Sequence, residues 1–412
     1  MPKSRIAALA AALVVSACGG SNGTPDSVRA TAAPGVDLVN KVITIGTLND
    51  ESGPAAVIGR PWALGKRILV EQINAGGSGL LPPGWTVKLI ERDHGYNPQR
   101  SVQMFNEIRD QVLFIGTSFG TPNTLPLRPL LQRHEIVAFP ASLSSKMAEF
   151  EYTPPPAPSY VLEAMRAMDF AVEKIGLDAL RPGIIYQQDD YGQDGYDGWT
   201  DAAAFHGVKL VAEATYAPGQ ADFTAAVAAM KNAGANAVFL AALPSATGPI
   251  LGTSQQLDFK PLWLGNSPAW VDRFFDAKVL PPSVLENYHG VAAGAYWGED
   301  VALMDDFLAA YEKYGREKLA PDGYILSGYA TTLIQIEVAK RMIEGGQISR
   351  AGYLHALKTL QGYTANGAFP EPLNFTKVPY VTGTKIRVLK PDTDSGRWIV
   401  AGDYAVPQAF GK

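Results

Sequence analysis

The chain has 412 residues, a formal net charge of −5 at pH 7, 47% hydrophobic residues and a single cysteine, Cys18. Its length exceeds what one hydrophobic core usually supports, so two domains are expected. Charges of both signs are interspersed without a basic patch, which argues against a nucleic-acid partner. A body without cysteine excludes disulfides, thiolate metal ligands and a cysteine nucleophile.

At the N-terminus, Lys3 and Arg5 precede the apolar and small run Ile6 to Val15, and Val15-Ser16-Ala17-Cys18 follows. A basic region, a short apolar region and small residues at the cut site make a secretory signal. The apolar run falls well short of the roughly 20 residues needed to span a bilayer. The tetrapeptide resembles a bacterial lipobox, which implies that the Cys18 sulfur takes a diacylglyceryl group and that Cys18 becomes the first mature residue. An ordinary cleavable signal with an incidental cysteine is the alternative. Gly19 to Asn40, rich in Gly, Ser, Thr, Ala and Pro, reads as a flexible tether. The expectation is an exported protein, lipid-anchored to a bacterial membrane.

The body alternates strands and helices. Val42 to Leu48 fits a buried strand, and after the loop Asn49 to Pro54 a helix is expected near Pro61, where proline suits a first turn. That helix ends at Asn74-Ala75-Gly76-Gly77. A strand at Trp85 to Glu91, a helix at Pro98 to Arg109, a strand at Val112 to Gly116, a helix at Leu125 to Arg133 and a strand at Ile136 to Phe139 follow. The rhythm pauses at the proline-rich linker Tyr152 to Pro158 and restarts. Helices are expected at Tyr160 to Ile175, Gly195 to Phe205, Phe223 to Asn232 and Gly248 to Leu257. The strands between and after them are Gly183 to Tyr186, Lys209 to Glu213, Ala237 to Leu240 and Leu262 to Leu264. After about residue 290 the pattern turns helical (Val301 to Tyr314, Tyr324 to Glu344, Arg350 to Leu360) and finishes in strand-like Tyr380 to Leu389 and Trp398 to Ala401. Such alternation predicts an α/β fold of two doubly wound, Rossmann-like lobes with a ligand cleft between them.

The run Ile45-Gly46-Thr47, Ser52-Gly53-Pro54-Ala55-Ala56 and Gly59, with Glu71-Gln72-Ile73-Asn74 at the helix end, resembles the leucine/isoleucine/valine-binding family of ABC transporter substrate-binding proteins. Asp93, Asn97-Pro98, Phe114-Ile115-Gly116, Phe139-Pro140-Ala141, Asp190-Tyr191-Gly192, Gly328-Tyr329-Ala330, Ala356-Leu357-Lys358 and Gly362-Tyr363 extend the likeness over Lys41 to Gly402. The resemblance implies the type I periplasmic binding protein fold, with a three-segment hinge. One lobe would be residues 41–157 plus 290–372, and the other 158–289 plus 373–412. It also implies capture of a small organic solute by lobe closure, ABC permease membrane subunits as partners and no cofactor. A ligand-sensing receptor of the same fold is the alternative.

Catalytic motifs are sparse. Gly116-Thr117-Ser118-Phe119-Gly120 satisfies G-x-S-x-G after a strand, so an exported serine hydrolase using Ser118 is a further alternative. Against it, Pro122, Pro126 and Pro129 crowd the turn where the helix of a nucleophile elbow must begin. The five histidines (His94, His134, His206, His289, His355) show no metal-ligand spacing. The aromatic groups Trp270, Phe274 and Phe275, and Tyr288, Tyr296 and Trp297, suit core packing better than cleft walls.

In the amino-acid binders of this family, a serine and a threonine in two first-lobe loops hold the ligand carboxylate, and a second-lobe acid pairs with its ammonium. The resemblance sets Gly120, Leu143 and Ser267 at those positions. Ile58 and Leu243 stand where the family has tyrosines, while Tyr191 keeps one. A buried ammonium without an acidic partner costs several kcal/mol, so a zwitterionic amino acid would bind poorly. Hydroxyls of Ser118, Thr121, Ser142 and Ser144 and backbone N–H groups suit a carboxylate, amide or carbonyl oxygen. With Phe119, Ala141 and Trp270 completing an apolar wall, the expected solute is amino-acid-like, an apolar or aromatic acid, or an amide.

Overall fold

The computed structural model describes residues 33–76 and 78–412. The signal, Cys18 and most of the tether lie outside the described residues. In chain order the first strands are β1 (Val36–Asp37), β2 (Val42–Asn49), β3 (Thr86–Asp93), β4 (Phe114–Phe119) and β5 (Ala138–Ala141). β2 pairs with β3 and with β4, and β4 with β5, all in parallel, while β1 lies antiparallel on the start of β2. β4 is buried along its whole length, as a parallel strand covered by helices on both faces must be.

The second sheet contains β6 (Pro182–Gln187), β7 (Ala212–Tyr216), β8 (Ala237–Ala241), β9 (Leu262–Gly265) and β10 (Tyr288–Ala292). A small ribbon, β11 (Gln361–Tyr363) with β12 (Leu373–Asn374), stands apart. The last strands, β13 (Ile386–Asp392) and β14 (Arg397–Ala405), rejoin the second sheet, whose order is β14-β13-β10-β9-β8-β6-β7. Strands β6 to β10 are mutually parallel, and β13 and β14 run antiparallel at one edge. The chain therefore passes from one sheet to the other after β5, back after β10, and across again before β13.

Several elements depart from the sequence expectation. The first long helix spans Ala56–Asn74, so Pro61 lies inside it rather than at its start. The carbonyl that Pro61 leaves without a helical donor belongs to Val57, an exposed residue of the first turn. β10 was not anticipated, because Tyr288-His289-Gly290 interrupts any apolar pattern. Nonetheless it is fully buried between β9 and β13. The final segment begins its strand at Ile386, not Tyr380. Phe375 and Tyr380 are buried in the first lobe's core, and Tyr380 Oη donates to Glu151 O at 2.6 Å. The third crossing thus falls after Tyr380 instead of near residue 372.

Two long helices cover one face of the first sheet, Ala56–Asn74 and Gly323–Glu344. Glycines let their backbones touch. A Cβ on Gly65 would sit 2.0 Å from Ile325 O, and one on Gly328 would sit 2.1 Å from Trp62 O. Between the helices the buried Lys66 ammonium donates to Thr332 Oγ1 at 3.0 Å and Gln335 Oε1 at 2.8 Å, and burial lowers its pKa to about 7. Overpacking of this kind typically costs about 1–3 kcal/mol. Gly65→Ala and Gly328→Ala should each lower the unfolding free energy in urea titrations by about that amount. An unchanged unfolding midpoint in both would show that the helices can part freely.

Candidate functional site

The loops that leave the carboxyl ends of the parallel strands of both sheets, all but the one after β7, reach one cavity of about 170 Å³. From the first sheet come Ile58, beyond β2, Tyr96 after β3, Gly120 and Thr121 after β4, and Ser142 and Leu143 after β5. From the second come Tyr191 after β6, Leu243 after β8, Ser267 and Trp270 after β9, and Ala293 to Tyr296 after β10. The crossover helix Tyr160–Ile175 adds Tyr160 and Glu163, and the helix Gly323–Glu344 adds Tyr324. Strand carboxyl ends are where open parallel sheets gather ligands.

Local rules position these groups. Asp50 accepts from Gly53 N at 2.6 Å and Ala55 N at 2.8 Å, which turns the chain into the helix that carries Ile58. Gly120 has φ +85 and frees the turn after β4. Asp189 caps the next helix, accepting from Tyr191 N at 3.0 Å and Gly192 N at 3.1 Å. A Cβ on Gly192 would meet Gln187 O at 1.9 Å, which explains glycine after Tyr191.

Of the residues singled out from the sequence, Ile58, Phe119, Gly120, Thr121, Ala141, Ser142, Leu143, Tyr191, Leu243, Ser267 and Trp270 surround this cavity. Ser118 does not. It is fully buried inside β4 with its hydroxyl 2.7 Å from Thr124 Oγ1. An elbow nucleophile must stand exposed on a turn, so the hydrolase geometry is absent at Ser118. Thr121 and Ser142 share a hydrogen bond of 2.7 Å, and Ser142 Oγ also accepts from Ser144 N. Tyr191 Oη lies 2.9 Å from Asn266 Oδ1 and 3.0 Å from Ala242 O, so it offers the cavity its ring. Of the two aromatic groups, Trp270 and Tyr296 wall the cavity. Trp398 packs behind Trp270, with ring centroids 4.5 Å apart, and Trp297 belongs to the first lobe's core beside Phe307.

Sequence reasoning missed Glu163. Ser267 stands where the family's acid was expected, and the structure brings a carboxyl to the same place. Glu163 Oε2 accepts from Ser267 N at 3.0 Å and from Ser267 Oγ at 3.1 Å. The second lobe therefore does carry a carboxyl at the cavity wall, on Glu163 rather than at position 267. A signal existed in the sequence: Glu163 stands one and two helical turns before buried Ala167, Phe170 and Ala171, a charge on an apolar stripe. Burial pushes its carboxyl up to about 8, against the opposing pull of the Ser267 bonds.

Hydrogen bonds join the lobes around the rim. Ser145 N and Oγ donate to Asp194 at 2.7 and 2.8 Å, and Lys146 pairs with Asp190. Gly323 N donates to Asp272 Oδ2 at 2.8 Å, and Tyr324 Oη to Ser267 O at 2.7 Å. Asp272 and Asp322 meet here. Burial raises both carboxyls, and the neighbouring Asp272 charge helps lift Asp322 to about 7.

Because the folded protein holds Glu163 above its ordinary 4.5, its contribution to stability is complete at low pH and is lost as pH rises through about 8. Relative to Glu163→Gln, the ligand-free wild type should lose stability between about pH 5 and about pH 8 and then level off. Urea unfolding of both proteins across that range checks this. A difference independent of pH would mean that Glu163 ionises as freely as it does in water.

Comparison with known proteins sets this geometry in context. The family model described as "Periplasmic binding protein" matches residues 42–390. A curated relative, the "Amino acid binding protein" of Pseudomonas aeruginosa, is 25% identical over 298 residues, covering 70% of this chain and 76% of that protein. The fatty acid ABC transporter substrate-binding protein from Thermomonospora curvata superposes with a TM-score of 0.83 at 22% identity, covering 92% of this chain and 95% of that one. A branched-chain amino acid ABC transporter protein from Thermus thermophilus, solved with bound valine, gives 0.79 at 20% identity over 90% and 98%.

Proposed function

The chain belongs to the periplasmic binding protein family, and from that premise we propose that it is the solute-binding component of an ABC importer. It captures a small organic molecule between its lobes and presents it to the permease's membrane subunits. The observation that carries this reading is the cavity itself, walled by loops of both sheets at their strand carboxyl ends. The chemistry of the wall suits an amino-acid-like, apolar or aromatic solute with one or two polar groups, acid and amide included. Relatives named for amino acids and for fatty acids support a small organic solute of this kind. The protein acts by binding and not by catalysis, in keeping with Ser118 shut inside β4.

Closure turns on three connections: Pro156 to Pro158, the stretch after Ala292, and Val381 to Lys385. Supporting this reading, one apolar cluster joins Ile58, Tyr96 and Phe119 of the first lobe to Tyr160, Tyr191 and Trp270 of the second. Those side chains must part for a solute to enter. In a thermal-shift screen, a true ligand at 100 times its Kd should add about 2.7 kcal/mol of stability. The same compound should leave the lobes closed, so the solution-scattering radius of gyration with ligand should not exceed that of the free protein, and should fall where the free form opens. Expansion on saturation would contradict capture by closure.

The residues Lys3 to Cys18 support export and lipid anchoring at Cys18. In a bacterial host, the protein should fractionate with membranes, and Cys18→Ser should release it as a soluble, folded protein. No helix among the described residues is long and apolar enough to cross a membrane. Membrane retention of the Cys18→Ser protein would overturn the anchor.

A further inference from the structure

The cleft uses only half of Glu163. Ser267 holds Oε2, whereas Oε1 is buried and has no hydrogen-bond partner among the described residues, and Glu163 is one of the residues that line the cavity. The side chain is 0% exposed. Buried polar atoms in folded proteins almost always find a partner, so an orphan of this kind calls for one supplied from outside. The other acid in the wall, Asp272, has no such need: Oδ1 accepts from Trp270 Nε1 at 3.1 Å and Oδ2 from Gly323 N. Among the described residues that line the cavity there is no lysine, arginine or histidine. An anion would therefore find no cation in the wall to meet it. An ammonium group satisfies Oε1 directly, and the rings of Tyr160, Tyr191, Tyr296, Trp270 and Phe119 suit both a cation and the apolar body that carries it.

We propose that Glu163 Oε1 is the specificity-determining contact of the cleft and that the solute carries a protonated amine on an apolar or aromatic body. This rests on the solute-binding reading and narrows it. With the cleft empty, Glu163 is mostly protonated near neutral pH. As the ammonium docks, the carboxyl proton leaves to solvent and an N–H to carboxylate bond forms. The groups facing Glu163 do not supply that proton's replacement. Tyr160 on its own helix, Tyr296 after β10 and Tyr324 across the cleft are phenols raised by burial and stay neutral, and Asp272 is an acid already bonded.

Two matched series test this: phenethylamine, phenylalanine, phenylacetic acid and phenylacetamide, and isoamylamine, leucine, 4-methylpentanoic acid and 4-methylpentanamide. Calorimetry at pH 6.5 should find the tighter binder of at least one series among its amine-bearing members. Heats measured in Tris and in phosphate should differ by the release of close to one proton per ligand. Affinity should rise with pH towards about pH 8, by up to about tenfold per unit. Glu163→Gln should weaken that ligand roughly ten- to hundredfold and abolish the proton release. Ser267→Ala, which keeps the carboxyl but loosens its anchor, serves as the second variant and should weaken binding less. Acids or amides that bind tightest, close the lobes and are unaffected by Glu163→Gln would overturn the amine assignment while leaving solute capture intact. Binding by none of the eight at millimolar concentration would overturn it as well.

Discussion

Parallel sheets need cover on both faces, and that requirement shapes the molecule. Each sheet is wrapped by its own crossover helices, so the two lobes can approach only through strand ends and the loops that leave them. The facing ends are the carboxyl ends, and eight of these loops turn toward one another. A cavity at their meeting point follows from the topology before any side chain is considered. The close approach of the helices at Gly65 and Gly328 belongs to the same logic, since it seals one face of the first sheet.

The second constraint is polar satisfaction. Within the cleft most buried polar atoms are already spoken for: Tyr191 by Asn266, Thr121 by Ser142, Asp272 by Trp270 and Gly323. Prior pairing fixes the geometry of the wall and removes most of it from recognition. What remains is a small set of groups with unused capacity, in a wall otherwise made of rings. Specificity in such a site comes from few contacts, because a ligand that leaves one of them unmet forfeits the full cost of a buried unpaired group.

Much of this was legible in the sequence. The strands β2, β6 and β8 and the helix Tyr160–Ile175 follow from short β-branched runs and an amphipathic stripe capped by Ser159, and their bounds lie within one or two residues of expectation. The cleft loops were legible because glycine and Asx caps punctuate them. β10 was not, because its burial comes from neighbours β9 and β13 and not from its own pattern. The third crossing was misplaced because Phe375 and Tyr380 look like any strand-forming aromatics until the first lobe's core claims them.

The sequence by itself determined the alternation of strands and helices, the doubling into two lobes, the exclusion of cysteine chemistry and most of the loops that border the cleft. These are local properties, written in periodicity, capping residues and composition. Only the tertiary structure decided which side chains those loops present to one another. Ser118 lies one residue from a cavity-lining position yet turns into the first lobe, because side chains alternate along β4. Glu163 comes from a helix some hundred residues before Ser267, and no local pattern reports a contact across that separation. Desolvation, which sets the protonation of Glu163, depends on how many atoms of both lobes crowd around it, and that exists only once the chain has folded.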